Sequence, residues 1–362
     1  MCTLHTIDPK KAEVFSENLM DMLNKASLTI MLSVGHRTGL LDAMRLLPPS
    51  TSEEIAEAAE LNERYVREWL GALSAGDIIQ IHSNGGPPRY VLPAEHAAFL
   101  TRAVAQDNIG VFAQYIGVMG AVEDDIVRCF HEGGGVPYEK YHRFHDVMAE
   151  DSGQTVVAAL LDDILPLVPG MSKQLERGID VLDIGCGQGR AVLTLASAFP
   201  NSRFTGYDLS PEAIAAAKAG AASRDIHNAH FEVRDLTTFD VDGPDGCYDL
   251  ITSFDAVHDQ ARPDRVLAGI ARALRTGGIY LMQDISASSA HEANTEHPLA
   301  PFLYTISTMH CMSVSLAQDG MGLGTMWGRE LAQEMLRDAG FSKISIHRLP
   351  HDIQNDYYVI RK

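Results

Sequence analysis

Asp183 stands two residues before three closely spaced glycines, Gly185, Gly187 and Gly189, in the run VLDIGCGQG. Glycines at this density let a backbone approach a ligand without Cβ atoms in the way. A carboxylate just ahead of them suits a ligand with a cationic amino group better than one with two phosphates. Nineteen residues past Gly189, Asp208 lies in Tyr207-Asp208-Leu209, where a carboxylate accepts both hydroxyls of a ribose. Asp235, just before Leu236, is placed to receive an adenine amino group, and a further stretch ends in Ser253-Phe254-Asp255. Singly these are weak signals, since a glycine cluster is often a turn and such an aspartate often a helix cap. Their order and spacing along one edge is the stronger observation.

Elements with the right periodicity exist to hold them. Residues 179–184, 203–209, 230–234, 250–254 and 278–284 read as strands with helices between them, which implies a mostly parallel sheet covered on both faces. A strand, a glycine turn and a helix over 190–199, stopped by Pro200, put a nucleotide-like ligand over the C-terminal edge of the sheet. Ser210-Pro211-Glu212 opens the next helix. The last strands, 344–348 and 357–360, flank a short loop with Pro350 and must pair as a hairpin, so one of them runs antiparallel. A dinucleotide site needs GxGxxG with the pyrophosphate on the helix N-terminus. Here the third glycine falls one residue early, and Arg190 follows it. An NAD(P)-dependent oxidoreductase on a Rossmann sheet is therefore the rival enzyme reading.

From residue 179 onward the chain resembles the class I S-adenosylmethionine-dependent methyltransferases, whose first motif matches Asp183-Ile184-Gly185-Cys186-Gly187-Gln188-Gly189. The resemblance implies an α/β fold with a seven-stranded Rossmann-like sheet of order 3-2-1-4-5-7-6, strand 7 antiparallel. It also implies S-adenosyl-L-methionine as cofactor, held by Asp183, Gly185, Cys186, Gly187, Gly189, Asp208, Leu209, Asp235, Leu236 and Phe254. The whole chain is similar to a mycobacterial-type bacterial group with an N-terminal winged-helix domain, and to small-molecule O-methyltransferases in which that domain makes the dimer. In plant-type members a His-Asp pair follows the fourth strand, with the histidine as general base. His258-Asp259 matches it, but Gln260 stands where that group has tryptophan, and a pocket-lining histidine is the other reading of His258. Methyl transfer to a small-molecule acceptor, a hydroxyl first, is the activity this implies.

The N-terminal third is helical. Helical spacing runs from Phe15 to Met44 with a break near Gly39, a helix opens after Ser50-Thr51-Ser52, and another spans 63–75 with Val66, Trp69, Leu70 and Leu73 inward and Gly76 as C-cap. Strands at 78–81 and 90–92 flank Asn84-Gly85-Gly86-Pro87-Pro88, which completes a winged-helix order. Residues 1–100 carry eight Lys and Arg against thirteen Asp and Glu, with only Arg64 and Arg67 basic on the would-be recognition helix. A ligand-sensing DNA-binding regulator, the non-enzyme reading, would show a basic footprint. The whole chain carries a formal charge of −19, which repels nucleic acid and anionic lipid. The domains expected are a winged-helix, dimerisation domain over 1–100, a helical linker and substrate cap over 101–175, and a methyltransferase domain over 176–362.

Tyr138, Tyr141, His142, Phe144 and His145 follow the helix-breaking run Gly133 to Pro137 and could line a pocket or simply pack a helix. Between strand five and the hairpin, Phe302, Tyr304, Met309, Met312 and Met321 suit a cap over a flat or apolar acceptor, as the resembling enzymes have there, or equally plain core or a dimer interface. His291 and His297 are six apart, not the four a zinc helix needs, and five scattered cysteines (Cys2, Cys129, Cys186, Cys247, Cys311) show no CxxC, so no metal is expected. Cys186 also reads as a small residue in a tight turn. The first residues lack the apolar core of a signal peptide, and the run 109–122 is too short to span a bilayer. A cytoplasmic homodimer follows as the expectation.

Overall fold

The computed structural model describes residues 7–83, 85–103 and 108–362. The first six residues with Cys2, and Asn84 of the expected hairpin turn, lie outside them. The chain forms two compact units that divide between Gly117 and Val118, within the stretch the sequence sets apart as a linker.

In the first unit α1 (Pro9–Thr38) begins earlier than its apolar spacing suggests, because the Asp8 side chain accepts from the Lys10 and Lys11 amides over a polar, exposed first turn. Gly39, at φ +74°, ends it and α2 (Leu40–Leu46) follows. Thr51 and Glu54 form a capping box that starts α3 (Ser52–Ala58). Asn62 caps α4 (Glu63–Ala75), which buries Val66, Trp69, Leu70 and Leu73 as its spacing requires. Burying each is worth about 1.5–3 kcal/mol, and Trp69 also donates its indole N–H to the Met31 carbonyl at 2.8 Å. The wing is shorter than expected. β1 (Gln80–His82) pairs antiparallel with β2 (Arg89–Val91), and α5 (Ala94–Leu100) follows. Ile78 and Ile79 stay out of the strand because both amides bond back to the Leu73 carbonyl at the end of α4.

The second unit follows α6 (Ala113–Gly120), inside which the division falls, and opens with α7 (Glu123–Glu132), α8 (Phe144–Ser152), π-helical turns at Gly153–Val157 and Leu160–Ile164, and α9 (Met171–Arg177). The sheet alternates with helices: β3 (Asp180–Ile184), α10 (Arg190–Ala198), β4 (Arg203–Asp208), α11 (Pro211–Ser223), β5 (Ala229–Val233), α12 (Phe239–Asp242), β6 (Tyr248–Phe254), α13 (Pro263–Ala273) and β7 (Leu274–Ile285). After α14 (Ala300–Ile306), a π-helical turn at Ser307–Cys311, α15 (Met312–Ala317) and α16 (Gly328–Asp338) come β8 (Lys343–His347) and β9 (Asn355–Arg361).

The strand order is β5-β4-β3-β6-β7-β9-β8, with β9 antiparallel to both neighbours. Counted within the sheet this is 3-2-1-4-5-7-6, as the resemblance implies. Side chains alternate strictly between two cores. Val181, Leu250, Ile279, Leu281 and Tyr357 face α10 and α11, whereas Leu182, Ile251, Tyr280, Met282 and Tyr358 face α13 and α16. Covering both faces leaves the strand ends as the places where backbone and carboxylates meet solvent, and the glycine turn lies at one of them. Among the described residues, no helix is long and apolar enough to cross a membrane.

Candidate functional site

A cavity of about 770 Å³ opens at the C-terminal edge of β3, β4, β5 and β6. Gly185 and Gly187 line it from the turn after β3, Asp208 and Leu209 from β4, Asp235 and Leu236 from β5, and Phe254 and Asp255 from β6. The structure thus brings together seven of the ten positions expected to hold a ligand. Asp183, Cys186 and Gly189 are not on the wall.

The Asp208 carboxylate is fixed from within. Its Oδ2 accepts from the Gly187 amide and its Oδ1 from the Ser210 amide, both at 2.8 Å. Each oxygen has a second lone pair free for a ligand hydroxyl, and bonds to an ionised acceptor are the strong kind. Gly187 sits at φ +51°, and a Cβ built there would meet nothing within 4 Å, so the surface above it is open. Gly189 is needed for a different reason: it caps α10 at φ +71°, and a Cβ would lie 2.5 Å from Phe231. The Gly185 and Cys186 amides both bond to the Tyr207 carbonyl, at 2.9 and 3.0 Å, which ties the turn to β4. Burial pushes the Cys186 thiol well up, so it stays protonated in its tight turn. Asp235 is exposed and braces its own loop by accepting from the Thr237 amide at 2.9 Å.

Asp183 lies beneath the cavity, 3% exposed, with Thr252 Oγ1 donating to it at 2.6 Å. Burial pushes its carboxyl up to about 7, against the Thr252 bond. Unlike Asp183, the carboxylate after β6, Asp255, is on the cavity wall; it is held in the left-handed region at φ +50°, and its buried Oδ1 has no hydrogen-bond partner among the described residues. Burial, then the nearby Asp284, push this carboxyl well up, so an arriving cation would return it to the charged form. In the sequence Asp255 stands only at the end of its strand, with no role attached. A carboxylate at the fourth strand end was the available signal.

The other wall is the helical arm. Tyr138, Tyr141, His142, Phe144 and His145 all line the cavity, which decides between the two readings of that run. Tyr138 donates its hydroxyl to Asp259 Oδ2 at 2.6 Å. Gln188 Nε2 donates to Asp146 Oδ1 at 3.1 Å and Arg190 to the Ala149 carbonyl at 2.6 Å, so the glycine turn also grips α8. For the region after β7 the core reading holds over the cap for Phe302 and Tyr304. Of the region after β7 only Gln318 reaches the cavity wall. Phe302 and Tyr304 pack against Ile285, Ala287, Leu303 and Met326 instead, and the Met309 carbonyl accepts from the Tyr141 hydroxyl.

His258 is 3% exposed and flanked by the cavity-lining Ala256 and Asp259. Its Nδ1 bonds to Asp284 Oδ1 at 2.8 Å, and Trp327 Nε1 and the Ile285 amide donate to the same oxygen at 2.9 and 2.8 Å. Burial alone would lower the imidazole; the Asp284 carboxylate overrides it and holds His258 well above its usual value. Among the described residues Asp255, His258 and Asp284 are the one group of three or more such side chains with ligand-type atoms within 4.8 Å of one another, and the hydrogen bond just given engages Nδ1 of the imidazole. His291 packs on Tyr304, and His297 accepts from the Leu299 amide.

Residues 175–340 match the family model described as a methyltransferase domain, and residues 26–102 match that of an Rv2258c-like winged HTH domain. The chain therefore carries a winged-helix domain ahead of a methyltransferase domain. It is 26% identical over 183 residues to a malonyl-[acyl-carrier protein] O-methyltransferase of Paenibacillus sp. (strain JDR-2), covering 49% of this chain and 59% of that one. It is 31% identical over 157 residues to a trans-aconitate 2-methyltransferase of Deinococcus radiodurans, covering 43% and 51%. The chain thus spans little more than half the length of these relatives. Over nearly its whole length the fold is that of human N-acetylserotonin methyltransferase, solved in complex with SAM, at TM-score 0.70, 18% identity and 99% coverage of each chain. PigF, solved with SAH, aligns at TM-score 0.65 and 21% identity over 99% of this chain and 100% of that one.

Proposed function

We propose that this chain transfers a methyl group from S-adenosylmethionine to the hydroxyl of a small-molecule acceptor, as a cytoplasmic homodimer that binds neither nucleic acid nor membrane. The observation that carries the reading is the Asp208 carboxylate, locked by the Gly187 and Ser210 amides on the cavity wall with Asp235 on the next strand end. The wall fits this cofactor: Asp208 for the ribose, Asp235 and Leu236 for the adenine, the open face of Gly187 for close approach, and the Asp255 carboxylate for the amino group. Asp183, Cys186 and Gly189 shape the turn from behind.

When bound, the cofactor supplies an electrophilic methyl on a sulfonium. The protein's part is to align the acceptor and exclude water. His258 stands behind the wall residues Ala256 and Asp259, so it takes the hydroxyl proton at Nε2 through one bridging water, while Asp284 at Nδ1 stabilises the cation formed. Trp327 and the Ile285 amide hold Asp284 in place for that task. The methyltransferase relatives, and neighbours solved with SAM and SAH, support the donor. Arg64 and Arg67 are ion-paired to Glu68 and Glu63 on their own helix, which supports the winged helix having no nucleic-acid role. Calorimetry with S-adenosylhomocysteine tests the reading. Saturable binding at micromolar concentration is expected, and no heat at high micromolar ligand refutes it.

A further inference from the structure

His310 lies in the π-helical turn Ser307–Cys311, is 0% exposed, and has no hydrogen-bond partner on either ring nitrogen. Its surroundings are aromatic. Phe144 stacks on it, with centroids 3.5 Å apart and planes at 16°, and the rings of Tyr138 and Tyr141 meet it edge-on at 5.3 and 4.6 Å. These three residues also form one wall of the cavity, so His310 stands directly behind that wall.

A buried imidazole with two unmet nitrogens is an expensive way to fill an apolar cage, since phenylalanine has nearly the same shape and no polar atoms to satisfy. π-Helical turns inside helices are also frequent at functional sites. The stacking geometry supplies the second clue. Phe144 presents a flat ring to His310 at the separation of stacked aromatic planes, as a bound planar molecule would. Its helix opens at Arg143, a non-glycine residue at φ +66° with no side-chain cap, so α8 starts from a strained junction.

We propose that His310 is the hydrogen-bonding residue of the acceptor subsite and that Phe144 stands in the place of a planar acceptor ring, moving aside when one binds. The inference rests on the methyl-transfer reading and deepens it. The acceptor it selects is a planar ring bearing an uncharged polar substituent beside the hydroxyl to be methylated. Burial holds the His310 imidazole well below its usual pKa, hence neutral, with one nitrogen donating and the other accepting. A hydroxyl substituent can complement either nitrogen, a carbonyl only the donating one, and a plain hydrocarbon ring neither.

The test compares binding of p-cresol and toluene, near-isosteric rings with and without a hydroxyl, to the S-adenosylhomocysteine-loaded protein by calorimetry. The wild type should prefer p-cresol by about tenfold, the equivalent of one hydrogen bond. In His310→Phe that preference should fall to less than about twofold while the melting temperature rises, because the unmet nitrogens are gone. His310→Gln, which keeps a donor and an acceptor, should retain part of it. Phe144→Ala should tighten both probes together. An unchanged preference in His310→Phe overturns the proposal, as does a wild type that binds neither probe or does not discriminate. Failure of S-adenosylhomocysteine to bind, with the p-cresol preference intact in the free protein, would instead sink the methyl-transfer reading and leave His310 as a ring-binding residue.

Discussion

His258 Nδ1 lies 2.8 Å from Asp284 Oδ1, and both residues are almost wholly excluded from solvent. The pair sets the protonation state of the only histidine next to the catalytic wall that has a carboxylate partner among the described residues. A proton on His258 is stabilised by Asp284 against the cost of burial, so the neutral form needed to accept a hydroxyl proton is populated only at higher pH. Turnover should therefore rise with pH along a limb whose midpoint lies well above 6.5. Asp284→Asn should move that midpoint down, because burial is then unopposed, and should lower the plateau. Proton NMR of the imidazole gives the same shift without any acceptor. A midpoint unmoved by Asp284→Asn would show that the pair does not control the titration.

Removal of the imidazole separates catalysis from cofactor binding. His258→Ala should lower turnover about 10²- to 10⁴-fold, the usual range for a general base. Affinity for S-adenosylhomocysteine should stay within about threefold, since His258 is not on the cavity wall. Equal turnover in the variant would assign the histidine a structural role.

Cofactor affinity should depend most on Asp208. Asp208→Ala deletes the acceptor for the Gly187 and Ser210 amides as well as the ribose contact. Hydrogen bonds to a charged group are worth about 1.5–3 kcal/mol each, so affinity for S-adenosylhomocysteine should drop about 100-fold or more. Asp208→Asn keeps one acceptor oxygen and should lose less. Full affinity in Asp208→Ala would contradict the proposed site.

The succession of strands and helices, the glycine turn and the carboxylates at two strand ends were legible in the spacing: period two, a glycine run, and aspartates at successive strand ends. The order of the strands in the sheet came with the family resemblance, because spacing does not say which strands pair. The aromatic arm was legible as a choice, since Gly133 to Pro137 marks a break but does not say which way Tyr138 and Phe144 turn. His310 was not. Its significance comes from Phe144, Tyr138 and Tyr141, which are remote in sequence and meet it only through packing. Asp183 and Asp255 show the same limit in another form. Both are carboxylates at strand ends, and only the left-handed backbone at Asp255 turns one of them to the cavity while its neighbour satisfies itself with Thr252. The methionines and aromatics after β7 read as a cap on composition, yet a second small core by Ile285 and Met326 claims Phe302 and Tyr304.

Asp183 also carries a pH signature on stability. Burial pushes its folded carboxyl up to about 7, against an ordinary value of 3.8. Between those values the unfolded chain releases a proton that the folded protein keeps, so this group's contribution falls as pH rises across the window. Asp183→Asn keeps an acceptor for Thr252 and removes the titration. The melting temperature of the variant relative to wild type should thus climb by several degrees between pH 4 and pH 8, at about 2–4 °C per kcal/mol for a domain of this size. A difference that stays flat with pH would place the Asp183 titration elsewhere.

The long first helix bears on assembly. Phe15, Leu19, Met22 and Leu23 follow helical spacing along one stripe of α1, and they are 62%, 47%, 63% and 61% exposed. Large apolar side chains so placed, with Ile30 and Val34 further along the same helix, form a contiguous patch of the kind that marks an interface. A second copy of the same helix offers a matching stripe, and a two-fold contact is the commonest way to cover one. Sedimentation should show a dimer for the wild type. Leu19→Asp with Leu23→Asp places two charges at the stripe's centre and should give a folded monomer, since neither residue belongs to the buried core of its unit. The variant should also keep its affinity for S-adenosylhomocysteine, because the whole cavity wall lies in the second unit. A dimer that survives both substitutions would assign the interface to another surface.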